Sequence, residues 1–299
     1  MKKITFFFIL FIGFNSFSQK RKVLLIGIDG LQFEKITETK TPNFDKFKIK
    51  KAFTGGIYGT NSQQVTSSGP SWLTILTGVW TDNHKIISNA TNQVCDYPSV
   101  FNRIKKGKKD SYLASISTWK NINLLLYKDM YKVNFSTQGG SDKESTDLAL
   151  YQITEKSPDF IFFHLDEIDG AGHSKGFGKE YQKSIIKADK NIGKLLKATL
   201  KRERKYNEDW LVIIVTDHGR GKGGYSHGNQ TLSEKTIFIG MNKMGNSYFN
   251  SINNAKIIHN LKELEKFTLP QTSIVPTILK HLEVPILKEW NLDSKSLIN

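Results

Sequence analysis

The stretch WLVIIVTDHG, Trp210 to Gly219, decides the architecture of this 299-residue chain. Trp210 to Val215 lacks the apolar–polar alternation of a half-solvated strand, so it reads as a strand buried on both faces. It stops at a polar tetrad, Thr216-Asp217-His218-Gly219. Lys22 to Ile28 repeats the pattern and ends in Asp29-Gly30, and Asp159 to Leu165 does so again with carboxylates at its end. Tyr112 to Ile116 and Thr236 to Ile239 read as further strands. Helical segments fall between them: Thr41-Pro42 through Phe47, Ser71 to Thr77 just after Pro70, and a helix reaching about Glu155 from the capping box Ser141-Asp142-Lys143-Glu144. An amphipathic helix runs from Lys179 to about Lys201, with Tyr181, Ile185, Ile186, Ile192, Leu195 and Leu196 inward, and Ser273 to Leu282 closes the chain. This alternation predicts the α/β class, a three-layer α/β/α sandwich with a mostly parallel central sheet. In such sheets ligands bind at the C-terminal ends of the strands, where this chain's polar residues gather.

Met1-Lys2-Lys3, the apolar run Ile4 to Phe14 and the small polar residues around Ser16 to Gln19 read as a signal peptide over residues 1–18, cleaved near Ser18. The run is shorter than the roughly 20 residues a membrane span needs, which disfavours an uncleaved anchor. The mature chain is then expected to be periplasmic or secreted, with residues 19–299 as one catalytic domain. Its single cysteine, Cys95, excludes an internal disulfide and reads as a small buried or loop residue. The net charge of +15, mostly lysine, is dense at Lys46 to Lys51, Lys105 to Lys109 and Lys201 to Lys205. That field can steer anionic substrates, but no aromatic-interleaved motif marks a nucleic-acid binder.

Four short segments supply carboxylates and imidazoles: Asp29, Asp169-Gly170-Ala171-Gly172-His173, Asp217-His218, and His227 within Tyr225-Ser226-His227-Gly228. The second reads as a glycine-rich loop able to fold around an ion. Ser68, in Ser68-Gly69-Pro70-Ser71-Trp72, adds a hydroxyl that a two-metal site could ionise.

In their order these segments resemble the alkaline phosphatase superfamily, and within it the type I phosphodiesterase and nucleotide pyrophosphatase group. The resemblance rests on Asp29 after the first strand, Ser68 with Pro70 and Thr77-Gly78, Asp169 with His173, Asp217-His218-Gly219, and His227-Gly228, and spans about Val23 to Pro285. It implies an alkaline phosphatase-like fold and two zinc ions, other divalent ions being possible. One would be held by Asp169, His173 and His227, the other by Asp29, Asp217, His218 and the Ser68 oxygen, roughly 4 Å apart. Ser68 would be the nucleophile of a hydrolase that cleaves phosphodiester or nucleotide pyrophosphate bonds through a phosphoseryl intermediate. Asn89 matches the family asparagine that donates to a phosphoryl oxygen, with backbone N–H groups near the start of the following helix as further donors. The expected partner is a small anionic phosphoester substrate.

Ser68 departs from the threonine commoner in that group, and Ser67 beside it is out of register. A sulfatase requires Arg where this chain has Trp72, and a phosphomonoesterase of the alkaline phosphatase type adds an arginine clamp and a third metal site that do not align. Phosphonate hydrolysis stays open, as does a non-catalytic, lysine-rich protein that binds anionic surfaces. Of the other polar residues, His84 reads as a loop buttress, His164 as a core histidine, His259 and His281 as surface residues, and Arg220 as solvent-facing. Trp72 reads as core, and Tyr225 flanks the proposed crevice.

Overall fold

The computed structural model describes residues 19–299, so the signal-peptide expectation lies outside the described residues. In chain order the elements that position the site are β1 (Lys20–Ile28), β2 (Lys48–Phe53), α1 (Ser68–Thr77), α2 (Val100–Gly107), β3 (Leu113–Ser117), β4 (Phe135–Ser136) and α3 (Asp142–Tyr151). They continue with β5 (Phe160–Leu165), α4 (Glu167–Lys175), α5 (Lys179–Tyr206), β6 (Glu208–Val215), β7 (Thr236–Met241), β8 (Leu269–Pro270) and α6 (Ile274–His281).

The strands form one sheet in the order β4-β3-β5-β1-β6-β7-β2-β8. β1 runs parallel to both β5 and β6, while β7 is antiparallel to both its neighbours, so the sheet is mostly parallel as expected. Alternate residues of each strand enter opposite cores, which is the period of two at work. Val23, Leu25, Phe160, Phe162, Leu211 and Ile213 pack with α1, α2 and α6. Leu24, Ile26, Ile161, Phe163, Val212 and Ile214 pack under α3 and α5. This is the three-layer arrangement.

Register brings three strand ends level. Gly27 pairs with His164 on one side and Val215 on the other, so Asp29, Asp166 and Asp217 emerge at the same edge. Gly27 also makes room on the sheet: a Cβ there would stand 2.5 Å from the Trp72 ring.

Several local expectations shift. The segment at Thr41–Phe47 forms only one turn of 3-10 helix, Phe44–Lys46, because Asp189 of α5 accepts the N–H groups of Asn43 and Phe44 and ties the segment to a neighbouring helix. α5 runs on to Tyr206, its last turn held by the Arg202–Glu208 ion pair at 2.6 Å. The capping box at Ser141 is present. Cys95 is buried, and burial pushes its thiol up to about 12. His259 is exposed as expected, but His281 is not: it is buried at the end of α6 with Nε2 2.9 Å from the Asp209 carbonyl.

Candidate active site and metal centre

Ser68 is the first residue of α1, and its hydroxyl points at the strand ends. Ser68 Oγ lies 3.4 Å from Asp29 Oδ1 and 3.4 Å from His218 Nε2. His218 Nε2 is in turn 3.3 Å from Asp217 Oδ2 and 3.5 Å from Asp29 Oδ1. Beside this group is a second one: His173 Nε2 is 3.1 Å from Asp169 Oδ2 and 3.0 Å from His227 Nε2, with Asp169 Oδ1 3.8 Å from His227. The His218 and His227 rings stack at 3.7 Å, so the two groups share a wall. All seven residues expected to ligate metal therefore converge, although they come from five separate segments.

The Asp169–His173 segment is not a loop. It lies on α4, where the spacing of four residues places both side chains on one helical face. Gly172 reflects crowding from outside, since a Cβ there would meet the Arg220 guanidinium at 2.5 Å, while Gly170 faces open space. Arg220 likewise departs from expectation: it is completely buried, and it pairs with Asp169.

Each imidazole is oriented by a backbone carbonyl. Nδ1 of His173 sits 3.1 Å from Tyr225 O, Nδ1 of His218 is 3.0 Å from Gly219 O, and Nδ1 of His227 is 2.8 Å from Thr66 O. A carbonyl only accepts, so each Nδ1 carries the hydrogen and each Nε2 presents a bare lone pair to the pocket. Such a second contact on the far ring nitrogen is what metal-ligating histidines make. Asp217 Oδ2 is buried and finds no hydrogen-bond donor.

The charges point the same way. Burial, then the Asp169 charge, push the Asp29 carboxyl upward, and burial with Asp29 raises Asp217 well above the carboxylate range. Burial also holds His218 well below its ordinary value, with His227 adding to it. Against the upward push of burial, the neighbouring Arg220 guanidinium keeps Asp169 low. Buried carboxylates and imidazole Nε2 atoms crowd together, and three sets of donor atoms, Asp29–Asp217–His218, Asp169–His218–His227 and Asp29–His164–Asp166, each gather within 4.8 Å. The residues present fit divalent metal.

Two contacts to Asp29 escape a sequence reading. Its Oδ2 takes Trp72 Nε1 at 2.8 Å and His164 Nε2 at 3.1 Å. His164 is a core histidine as expected, yet it touches the site; a lone imidazole at the end of an apolar strand was the available signal. Asp166, pushed up to about 7 by burial and Asp29, stands close by. Asn89 is exposed beside α1, and its Oδ1 accepts the Gly69 N–H at 2.7 Å. With that N–H taken, Pro70 lacking one and Ser71 N bonded to Ser67 O, the helix start offers fewer donors than expected. His84 is buried away from the pocket between Thr74 and the Ile86 N–H, a buttress that burial holds down at about 3. Tyr225 is exposed at the rim.

The family model described as type I phosphodiesterase/nucleotide pyrophosphatase matches residues 23–267. Among curated relatives, GPI ethanolamine phosphate transferase 1 of Yarrowia lipolytica is 27% identical over 70% of this chain and 25% of its own length. Ectonucleotide pyrophosphatase/phosphodiesterase family member 7 of Rattus norvegicus is 21% identical over 67% of this chain and 50% of its own. The chain thus spans a quarter to a half of these relatives. Among solved structures, a putative sulfatase from Bacteroides thetaiotaomicron superposes with a TM-score of 0.66 at 14% identity, covering 93% of this chain and 74% of its own. Murine ectonucleotide pyrophosphatase/phosphodiesterase 5 does so with 0.59 at 13%, covering 91% and 98%.

Proposed function

Because the chain belongs to the type I phosphodiesterase/nucleotide pyrophosphatase family, we propose that residues 19–299 form one exported catalytic unit that hydrolyses phosphodiester or pyrophosphate bonds of small anionic substrates, with Ser68 as nucleophile. The observation that carries this reading is that Ser68 Oγ lies 3.4 Å from Asp29 and His218, whose group with Asp217 adjoins the group of Asp169, His173 and His227.

Asp169, His173 and His227 would hold one zinc, and Asp29, Asp217, His218 and Ser68 the other, a donor set that suits this ion. Bound there, the ions would supply positive charge that lowers the serine pKa and stabilises the leaving oxygen. Ser68 Oγ gives up its proton to solvent and forms a bond to phosphorus as the bond to the leaving oxygen breaks, the leaving group departing with the bonding pair and taking up a proton from solvent. Water then hydrolyses the phosphoseryl ester and restores the hydroxyl. Asn89, its carbonyl fixed by Gly69 N–H, turns its NH₂ to a non-bridging oxygen. His164 and Trp72 occupy Asp29 Oδ2 and so leave Oδ1 directed at Ser68.

A diester preference is supported by Arg220, whose Nη1 and Nε are taken by Asp169 and the Gly224 carbonyl, where a monoester would call for a bidentate clamp on phosphate. The likeness to a phosphate transferase favours a second reading, in which the same phosphoseryl ester is passed to an alcohol in place of water. Aryl phosphodiesters, an aryl phosphomonoester and an aryl sulfate, assayed with and without an alcohol acceptor, separate these readings. Diester turnover should lead the panel and fall at least ~10³-fold in Ser68→Ala, as when a nucleophile acting within a unit is removed. Preference for the sulfate would overturn the assignment. Among the described residues no helix is long and apolar enough to cross a membrane.

A further inference from the structure

Arg220 carries a permanent charge with no exposure to water. Nη1 of its guanidinium pairs with Asp169 Oδ1, and Nε donates to the Gly224 carbonyl at 2.5 Å. Its backbone N–H is fixed by Gln32 Oε1 at 2.7 Å. The slot it fills exists because side chains are missing around it. A Cβ on Gly172 would lie 2.5 Å from Arg220 Cζ, and one on Gly30 would lie 2.7 Å from Nη1 and 2.4 Å from Asp169 Oδ1.

The two acceptors belong to different parts of the pocket. Asp169 projects from α4. Gly224 lies in the loop that leaves β6, which closes on itself through Gly221 N to Ser226 O at 2.8 Å and Gly224 N to Gly221 O at 2.9 Å. The carbonyl of the next residue, Tyr225, orients His173 at 3.1 Å, and the same loop delivers His227. One guanidinium therefore touches Asp169 directly and fixes the loop that orients His173 through Tyr225 O and carries His227.

We propose that Arg220 is a positioning residue for one ion site, a two-point strut that holds Asp169, His173 and His227 in ligating register. The proposal rests on the two-ion reading above. A buried ion pair contributes little net stability by itself. Its effect falls on geometry, and outer partners of metal ligands alter metal affinity about 10–100-fold. Lysine cannot replace it, because a single ammonium cannot make both directed contacts from one place.

The test measures zinc per chain and the chelator concentration that strips it, on folded protein verified by its thermal midpoint. Wild type should hold two ions. Arg220→Met and Arg220→Lys should each release one of them at a chelator concentration at least ~10-fold lower, leaving the other unchanged. Asp169→Asn should release one ion likewise, and combining it with Arg220→Met should add no further loss. Gly172→Ala keeps the arginine but drives a methyl into its slot, in a helix where alanine is the better helix former; it should weaken the same ion and decides the matter if Arg220→Met does not fold. Arg220 and Gly172 variants with wild-type stoichiometry and chelator sensitivity would overturn the strut, as would equal loss of both ions. A wild type that binds no zinc would sink the two-ion reading instead.

Discussion

His173 and His227 face each other with their Nε2 atoms 3.0 Å apart, while the Nδ1 of each is turned to a backbone carbonyl. Two lone pairs at that distance repel until a cation lies between them. Zinc should therefore stabilise the fold by mass action, about 1.4 kcal/mol for each tenfold rise in free ion above its dissociation constant. Thermal midpoints across buffered zinc concentrations measure this, and chelation should abolish hydrolysis in parallel. A midpoint indifferent to zinc would count against a metal centre.

Asn89 and Gly69 act as a pair. Asn89→Ala should lower kcat about 10²–10³-fold, the range for loss of one donor to a developing oxyanion, with zinc content retained. Gly69→Ala should move in the same direction, because its Cβ would stand 2.4 Å from Ser88 O and 3.0 Å from Asn89 Oδ1. Steady-state kinetics on the favoured diester decide it; an Asn89→Ala enzyme within about threefold of wild type would remove the asparagine from the mechanism.

His281 predicts an acid limb in stability. Burial, then Lys243 and Arg21, hold its imidazole down at about 3 against an ordinary value of 6.5. The folded state stays neutral while the unfolded chain takes up a proton, so this contribution is full above 6.5 and is lost as the pH falls toward 3. His281→Gln keeps a donor for the Asp209 carbonyl without the titration. Its urea midpoint should change less than that of wild type between pH 6.5 and 4; parallel curves would refute the assignment.

Gly27→Ala should destabilise the chain by about 1–3 kcal/mol, the cost of overpacking a filled core, because the new methyl enters the Trp72 ring. Displacing that ring also breaks its bond to Asp29, so turnover should drop further than the urea midpoint alone explains. Unchanged stability and activity would mean that the indole moves aside freely.

The three buried strands were legible because apolar runs without alternation have few other readings, and their ends carried the carboxylates into view. What the sequence concealed were polar groups buried through distant partners. Glu208, two residues before Trp210, is buried at the start of β6 against Arg202, Ser157 and the Trp210 indole. Arg220 and His281 read as exposed since Asp169 and the Asp209 carbonyl, which make their burial tolerable, are remote or invisible in one dimension. Asp169-Gly170-Ala171-Gly172-His173 looked like a loop because glycine disfavours helix, yet here its missing side chain admits a neighbouring guanidinium. The reversed direction of β7 left no mark in its own residues.

The site draws on β1 and on the two strands flanking it, β5 and β6, followed by the loop that reaches His227. During synthesis Asp29 emerges long before its companions, and neither cluster can be completed until the chain beyond β6 has been made. An ion bound at these clusters would therefore have to wait until His227 has been made, and a product truncated within β6 would keep Ser68, Asp29, Asp169 and His173 without Asp217, His218 and His227.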